Sequence, residues 1–275
     1  MILNKSIFLC ATRFAPMVLL LAIFANPVHA DQDDTMTKTA KHAQDIQSKL
    51  IPAVQIPLSY NYNQNTQPNQ GLTQAQFQLT PIIPVMFDGS TGFVLNPMFI
   101  DNVNVQNQNT TNQATPLQLA TYIVHKTDTT IYGVGPFVQM PTANKSSGSQ
   151  QTGLGVSYGF LYRPKHWVIG ATGYQAWGVG GDVSYGTANV YYLNPQISFT
   201  TDNAWTYNLQ SWLNGNPTSG QSNNTNQLIL SAGKTLNLGK TTVQWMVGPA
   251  YMVTSTPTSP QGWGGYASLT VAFME

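Results

Sequence analysis

Three histidines follow residue 30: His42, His125 and His166. Acid–base or nucleophilic chemistry would need one of them beside a serine nucleophile or a carboxylic acid. None has a Ser or Asp at a telling spacing. His125 and His166 fall beside short turns at the ends of expected strands, and His42 falls in a polar segment ahead of the first strand. No enzyme activity is therefore expected. The single cysteine, Cys10, lies in the first thirty residues. A chain processed after residue 30 would carry neither disulfides nor thiolate metal ligands. No metal-ligand cluster, nucleotide motif or phosphate-cradling loop stands out, so no cofactor is expected. Gly153, Gly155 and Gly159 fall at alternate positions, as room-making residues do.

What remains is a set of neutral hydrogen-bonding side chains that recur every second residue. Gln55, Ser59, Gln76, Gln78, Asn208, Gln210, Gln244 and Thr270 all occupy the parity opposite to the apolar residues of their segments. Successive strand side chains point to opposite faces, so each strand has one apolar and one amide- or hydroxyl-bearing face. Trp212 and Tyr266 share the polar parity, where they could stack a ligand or simply pack. With the polar face inward, the candidate lumen-lining residues are Gln55, Gln78, Asn208, Gln210, Trp212, Gln244 and Tyr266. No ring of Asp or Arg stands among them. Such a passage should take neutral or modestly polar solutes with weak ion preference. The alternative is a closed interior whose polar groups pair with one another.

The composition agrees with these faces. Charged residues make up 8% of the 275, hydrophobic residues 42%, and the net charge is +1. A typical soluble domain is about 25% charged. A soluble surface would be short of charge, whereas a barrel with lipid outside and an uncharged polar interior is not. The lack of a basic stripe argues against nucleic acid as a partner. Beyond residue 30 no apolar run approaches the ~20 residues of a spanning helix. Any membrane crossing would then be made by the strands of a closed barrel.

Residues 1–30 read as a signal peptide. Lys5 and Arg13 precede a nine-residue apolar run at 17–25, and Val28-His29-Ala30 stands before Asp31 as a cleavage point. Residues 31–51 form a polar lead-in. Ala40, Ala43, Ile46, Gln47 and Leu50 fall there at spacings of three and four. A short periplasmic helix or a disordered stretch is expected, with a helix that enters and plugs the pore as the sharper alternative.

From 52 to 275 the period is two. Val54, Ile56, Leu58 and Tyr60 show it, as do Leu154, Val156, Tyr158 and Phe160, and Leu269, Val271 and Phe273. The alternation runs over nine to twelve residues in several segments. Globular strands average about five or six residues, while a tilted transmembrane strand needs about ten. Twelve segments are predicted, near 52–62, 73–86, 91–102, 116–126, 129–140, 152–162, 166–178, 187–200, 203–213, 226–238, 241–254 and 262–273. Short connections at 87–90, 127–128, 163–165, 201–202 and 239–240 alternate with long ones, as in bacterial outer-membrane barrels. The Asn-rich stretch 102–112 reads as solvated loop. Aromatics such as Tyr60, Trp167, Trp177, Tyr192, Trp205 and Trp263 fall near strand ends, as interfacial girdles do. Lys126, Arg163, Lys165, His166 and Lys240 collect at the short turns, where snorkelling to headgroups accounts for them.

Taken together, these residues resemble a family of bacterial outer-membrane proteins. Some members are labelled transporters, others proteins of the meta-pathway of phenol degradation, and some carry the misleading name neuromedin U. The resemblance covers nearly all of the chain after the signal segment. It runs through Ile51-Pro52-Ala53-Val54-Gln55-Ile56-Pro57-Leu58, Gln78-Leu79-Thr80-Pro81, Tyr132-Gly133-Val134-Gly135-Pro136 and Met140-Pro141-Thr142-Ala143. It continues with Trp167-Val168-Ile169-Gly170-Ala171, Gln175-Ala176-Trp177 and the closing Gly262-Trp263-Gly264-Gly265-Tyr266. The resemblance implies a barrel and suggests transport, and it brings no catalytic residues. The chain departs from the family at 87–93, where Phe93-Val94-Leu95-Asn96 follows in place of an expected Trp-Asn pair.

The expectation is an all-β, antiparallel transmembrane barrel of about twelve strands in the outer membrane of a Gram-negative bacterium. Its expected partners are outer-membrane lipid, lipopolysaccharide and the barrel-assembly machinery. That machinery commonly reads a C-terminal aromatic, for which Phe273 is the candidate. The expected function is a channel or transporter for small neutral or modestly polar solutes, extending to hydrophobic ones. The alternative is a non-conducting structural or surface-interaction barrel that presents polar extracellular loops.

Overall fold

The structure, a computed structural model, describes residues 36–50, 53–64, 73–106, 109–143, 149–216, 224–255 and 260–274. The expected signal peptide lies outside these. Each alternating segment becomes one stave of a closed barrel. The first six are β1 Val54–Gln64, β2 in two pieces (Thr73–Leu79 and Ile83–Met86), β3 Thr91–Gln106, β4 in two pieces (Asn109–Ala114 and Gln118–Lys126), β5 Thr130–Gln139 and β6 Gln150–Tyr162. The rest are β7 Trp167–Asp182, β8 Val190–Thr200, β9 Trp205–Gly215, β10 Thr225–Leu238, β11 Thr241–Thr254 and β12 Gly262–Phe273. Chain neighbours pair antiparallel, and β1 pairs with β12 from Val54↔Phe273 to Asn63↔Gly264. That seam closes the ring and leaves it no free edge.

The period-two pattern sets which way each side chain points. Leu58, Ile123, Phe160, Leu209, Leu230 and Val247 are exposed on the outer surface. Gln55, Ser157, Ser198, Thr206, Gln244 and Thr270, on the other parity, are buried inside. β3 keeps this rule despite the departure at 87–93: Val94 and Met98 are buried, and Asn96 points the same way.

Two staves are interrupted at prolines. Pro81 cannot donate to the ladder, and there Asn96 Nδ2 donates to Thr80 O at 3.2 Å and Pro81 O at 2.9 Å. β4 breaks just before Pro116, and Thr115 N donates to Ile100 O at 2.9 Å. The Asn-rich stretch is not an irregular loop in its described part. β3 continues to Gln106 and pairs with Asn109–Ala114 as a hairpin whose other side is paired to Thr73–Phe77 of β2. Side-chain amides pair along it: Gln76 Nε2 donates to Asn102 Oδ1 at 2.9 Å, and Asn104 Nδ2 to Gln113 Oε1 at 2.7 Å. Adjacent amides can each donate and accept, so a polar ladder forms without charge.

The lead-in holds the single helix of more than one turn among the described residues, α1 Lys38–Gln47. Thr37 caps it, its hydroxyl accepting from Ala40 N at 3.2 Å, which satisfies one orphan donor of the first turn. Ser48 N donates to Asp45 O at 2.9 Å at the other end.

Candidate functional site

α1 lies inside the barrel mouth at the short-turn end. Thr37 Oγ1 donates to Asp202 O at 2.9 Å. Gln44 Nε2 donates to Lys165 O at 2.5 Å and Trp167 O at 3.0 Å. Arg163 forms an ion pair with Asp45. Ala40 and Ala43 pack on Ala204, small residues that let the helix approach the wall closely. Farther in, His42 Nδ1 is 3.1 Å from Thr242 Oγ1, and Gln196 Nε2 donates to Gln47 O at 2.7 Å. The chain then crosses the lumen. Leu50 joins the apolar cluster on the far side and occupies the space Gly159 leaves; a Cβ there would come within 2.8 Å of Leu50 Cδ1.

Above this stopper is a central cavity of about 400 Å³. Ile46, Gln47 and Lys49 contribute to it from the lead-in. All seven candidate lumen residues line it: Gln55, Gln78, Asn208, Gln210, Trp212, Gln244 and Tyr266. Several are held by neighbours. Trp212 Nε1 donates to Gln210 Oε1 at 3.3 Å, and Gln244 Nε2 donates to Thr235 Oγ1 at 2.9 Å. Trp212 and Tyr266 meet edge to face with centroids 5.9 Å apart. Two polar atoms of the lining, Gln55 Nε2 and Asn208 Oδ1, are buried without a hydrogen-bond partner.

The wall mixes polar and apolar groups, which parity alone does not reveal. Staves β8 to β12 and β1 supply most of the amides and hydroxyls. Staves β2 to β7 supply Ile82, Met98, Ile100, Tyr122 and Tyr174 beside the amides of Gln76, Gln78, Asn96 and Gln118. Behind these are Val94, Ile131, Phe137 and Leu161. Phe137 stacks on Tyr174 at 4.1 Å and 10°, and Tyr174 on Tyr192 at 5.3 Å and 27°. Tyr192, grouped above with the interfacial aromatics, instead faces the cavity. Its neighbour Tyr191 is aromatic too, so parity could not separate the two. The inward apolar residues of β5 to β7 alternate with outward apolar ones, which hides them in a sequence read by period.

One ionisable cation interrupts the neutral lining. Lys49 is the only Asp, Glu, Lys or Arg on the cavity wall among the described residues. Its Nζ donates to Asn194 Oδ1 at 2.7 Å. The side chain keeps some surface open to the cavity, yet protein surrounds it, and this desolvation pushes its pKa down to about 8.

The fold and this interior define a closed twelve-stave β-barrel stoppered at one end by its own N-terminal helix. The chain is similar in fold to a crystallised outer membrane channel from Pseudomonas putida F1. The two are 11% identical with a TM-score of 0.61, covering 89% of this chain and 99% of that one. The NanC porin aligns less well, with 11% identity and a TM-score of 0.49 over 81% of this chain and 100% of that one. No protein-family profile matches the chain. No curated protein sequence matches it either.

Proposed function

We propose that this protein is an outer-membrane channel or transporter for small solutes, with α1 as its stopper. One observation carries the reading. An apolar outer surface surrounds a cavity of about 400 Å³, and the helix closing one end is held by side-chain hydrogen bonds and one ion pair. Exposed side chains such as Leu58, Ile123 and Leu230 suit contact with lipid. A pocket of this size is within the usual range for small-molecule sites. Lipid and lipopolysaccharide would be its surroundings, and the barrel-assembly machinery would insert it by way of Phe273.

The test is planar-bilayer conductance and solute flux for the full chain and for a chain lacking residues 36–50. Low conductance that rises on deletion supports a stoppered channel. The density of interior pairs such as Gln244–Thr235 favours a second reading, a structural barrel that conducts nothing. Silence from both chains, each correctly folded, would select it.

A further inference from the structure

We infer that Lys49 is the carboxylate-binding element of a solute site in the cavity, and that the solute is an amphiphilic monocarboxylate. This rests on the channel reading and names its substrate class.

Three observations converge. First, an ammonium has three donors, and the hydrogen bond recorded for Lys49 goes to the neutral Oδ1 of Asn194. The carboxylate one helical turn away, Asp45, is committed to Arg163 at the mouth. No carboxylate lines the cavity among the described residues. A cation facing a confined, protein-walled space without a counter-charge favours an anionic guest strongly, because the low local dielectric amplifies the attraction.

Second, the cavity lining holds an unused donor. Gln55 is 1% exposed, and its Nε2 has no partner. Buried polar groups are normally satisfied, so an orphaned amide hydrogen on a cavity wall calls for an acceptor. A carboxylate offers two oxygens and suits both kinds of donor.

Third, the rest of the lining includes apolar and aromatic groups: Ile82, Met98, Tyr122, Tyr174 and Tyr192. A hydrocarbon or aromatic body would lie there. One cation matches one negative charge. A dianion would keep an uncompensated charge in a low-dielectric space, and an organic cation would be repelled.

The test is equilibrium binding to the folded full chain in detergent by titration calorimetry, paired with bilayer conductance. The probes are 3-phenylpropionate, its primary amide and 3-phenylpropylamine. The carboxylate should bind about tenfold or more tighter than the amide, the worth of a charge-assisted hydrogen bond. The amine should bind weakest. Lys49→Met should erase the carboxylate–amide difference, whereas Lys49→Arg should keep it. Gln55→Leu should reduce it, reporting on the second donor. Equal binding of carboxylate and amide would overturn the inference, as would a preference that survives Lys49→Met or an absence of binding by all three probes. Lys49-dependent carboxylate binding without any conductance would uphold the site and defeat the channel reading. Conductance without carboxylate preference would do the reverse.

Discussion

Gln47 Nε2 donates to Gln244 Oε1 at 2.6 Å, so the last residue of α1 is bonded to the cavity wall near the short-turn end of β11. The same nitrogen lies 3.4 Å from Met246 Sδ. A residue picked out as lumen lining is thus already engaged by the protein's own helix. In the proposed channel, opening the passage would require these bonds to be exchanged for bonds to water, which makes the helix's hold a modest difference between two well-bonded states.

The Asp45–Arg163 pair should contribute most to that difference. Both side chains are largely buried, with 29% and 10% exposed. A hydrogen bond to a charged group is worth roughly 1.5–3 kcal/mol, so Asp45→Asn or Arg163→Gln should raise the single-channel open probability about tenfold or more. The double variant should add little to either single one. Additive effects in that cycle would show that the two side chains hold the helix independently.

Acid should loosen the helix through His42. Burial keeps its pKa below the ordinary 6.5, opposed by nearby Asp45 and aided by Lys38. In the undocked helix the ring returns to the ordinary value. The docked state therefore binds fewer protons, and its advantage is complete above 6.5. It is lost as pH falls below that value toward the docked pKa. Open probability should rise across this window, and His42→Gln should flatten the rise. An unchanged profile in that variant would assign the response to another group.

Lys49 changes the expected ion preference. Read from the amides alone, the passage should discriminate weakly. With Lys49 on the wall, reversal potentials in a salt gradient should show anion preference. Lys49→Gln should remove it, and Gln210→Asp, placed on the same wall, should invert it. Cation preference in the unmodified chain would mean that other charges dominate the path.

Much of this was readable in the residues, and the remainder has physical reasons. The twelve staves and the inward set from Gln55 to Tyr266 follow from a period of two, which a pleated strand enforces locally. The docking of α1 does not, because its anchors are polar. Gln44 and Gln47 reach the wall through amides that would serve equally well in water. Lys49 looked like one more solvated lysine of a polar lead-in, since nothing local says that residue 49 lies inside a barrel whose wall is written later in the chain. The aromatic part of the cavity lining escaped because Tyr122 and Tyr174 lie in staves that are apolar or glycine-rich on both faces.

The outward apolar belt gives a test of membrane insertion. Leu230 lies mid-stave on β10 with 54% of its surface exposed. An arginine there should cost ~2–4 kcal/mol if the site is near the membrane midplane. It should lower the fraction showing heat-modifiable gel mobility. Phe273→Asp lies at the end of β12, where depth alone would penalise it less, so a block as strong as that of Leu230→Arg would mark Phe273 as an assembly signal. Normal insertion of Phe273→Asp would remove that role.

Because α1 precedes the first stave and grips residues 118 to 200 positions away, such as Arg163 and Thr242, its docking is among the least local events in folding. Such contacts incur a large loop-closure entropy and form late. The β1–β12 seam also joins opposite ends of the chain, so ring closure waits for the last stave. If the seam closes first, the lead-in must thread a finished mouth; if the helix seats first, the ring closes around it. Either way, the segment that emerges first is fixed only after most of the wall it grips has been made.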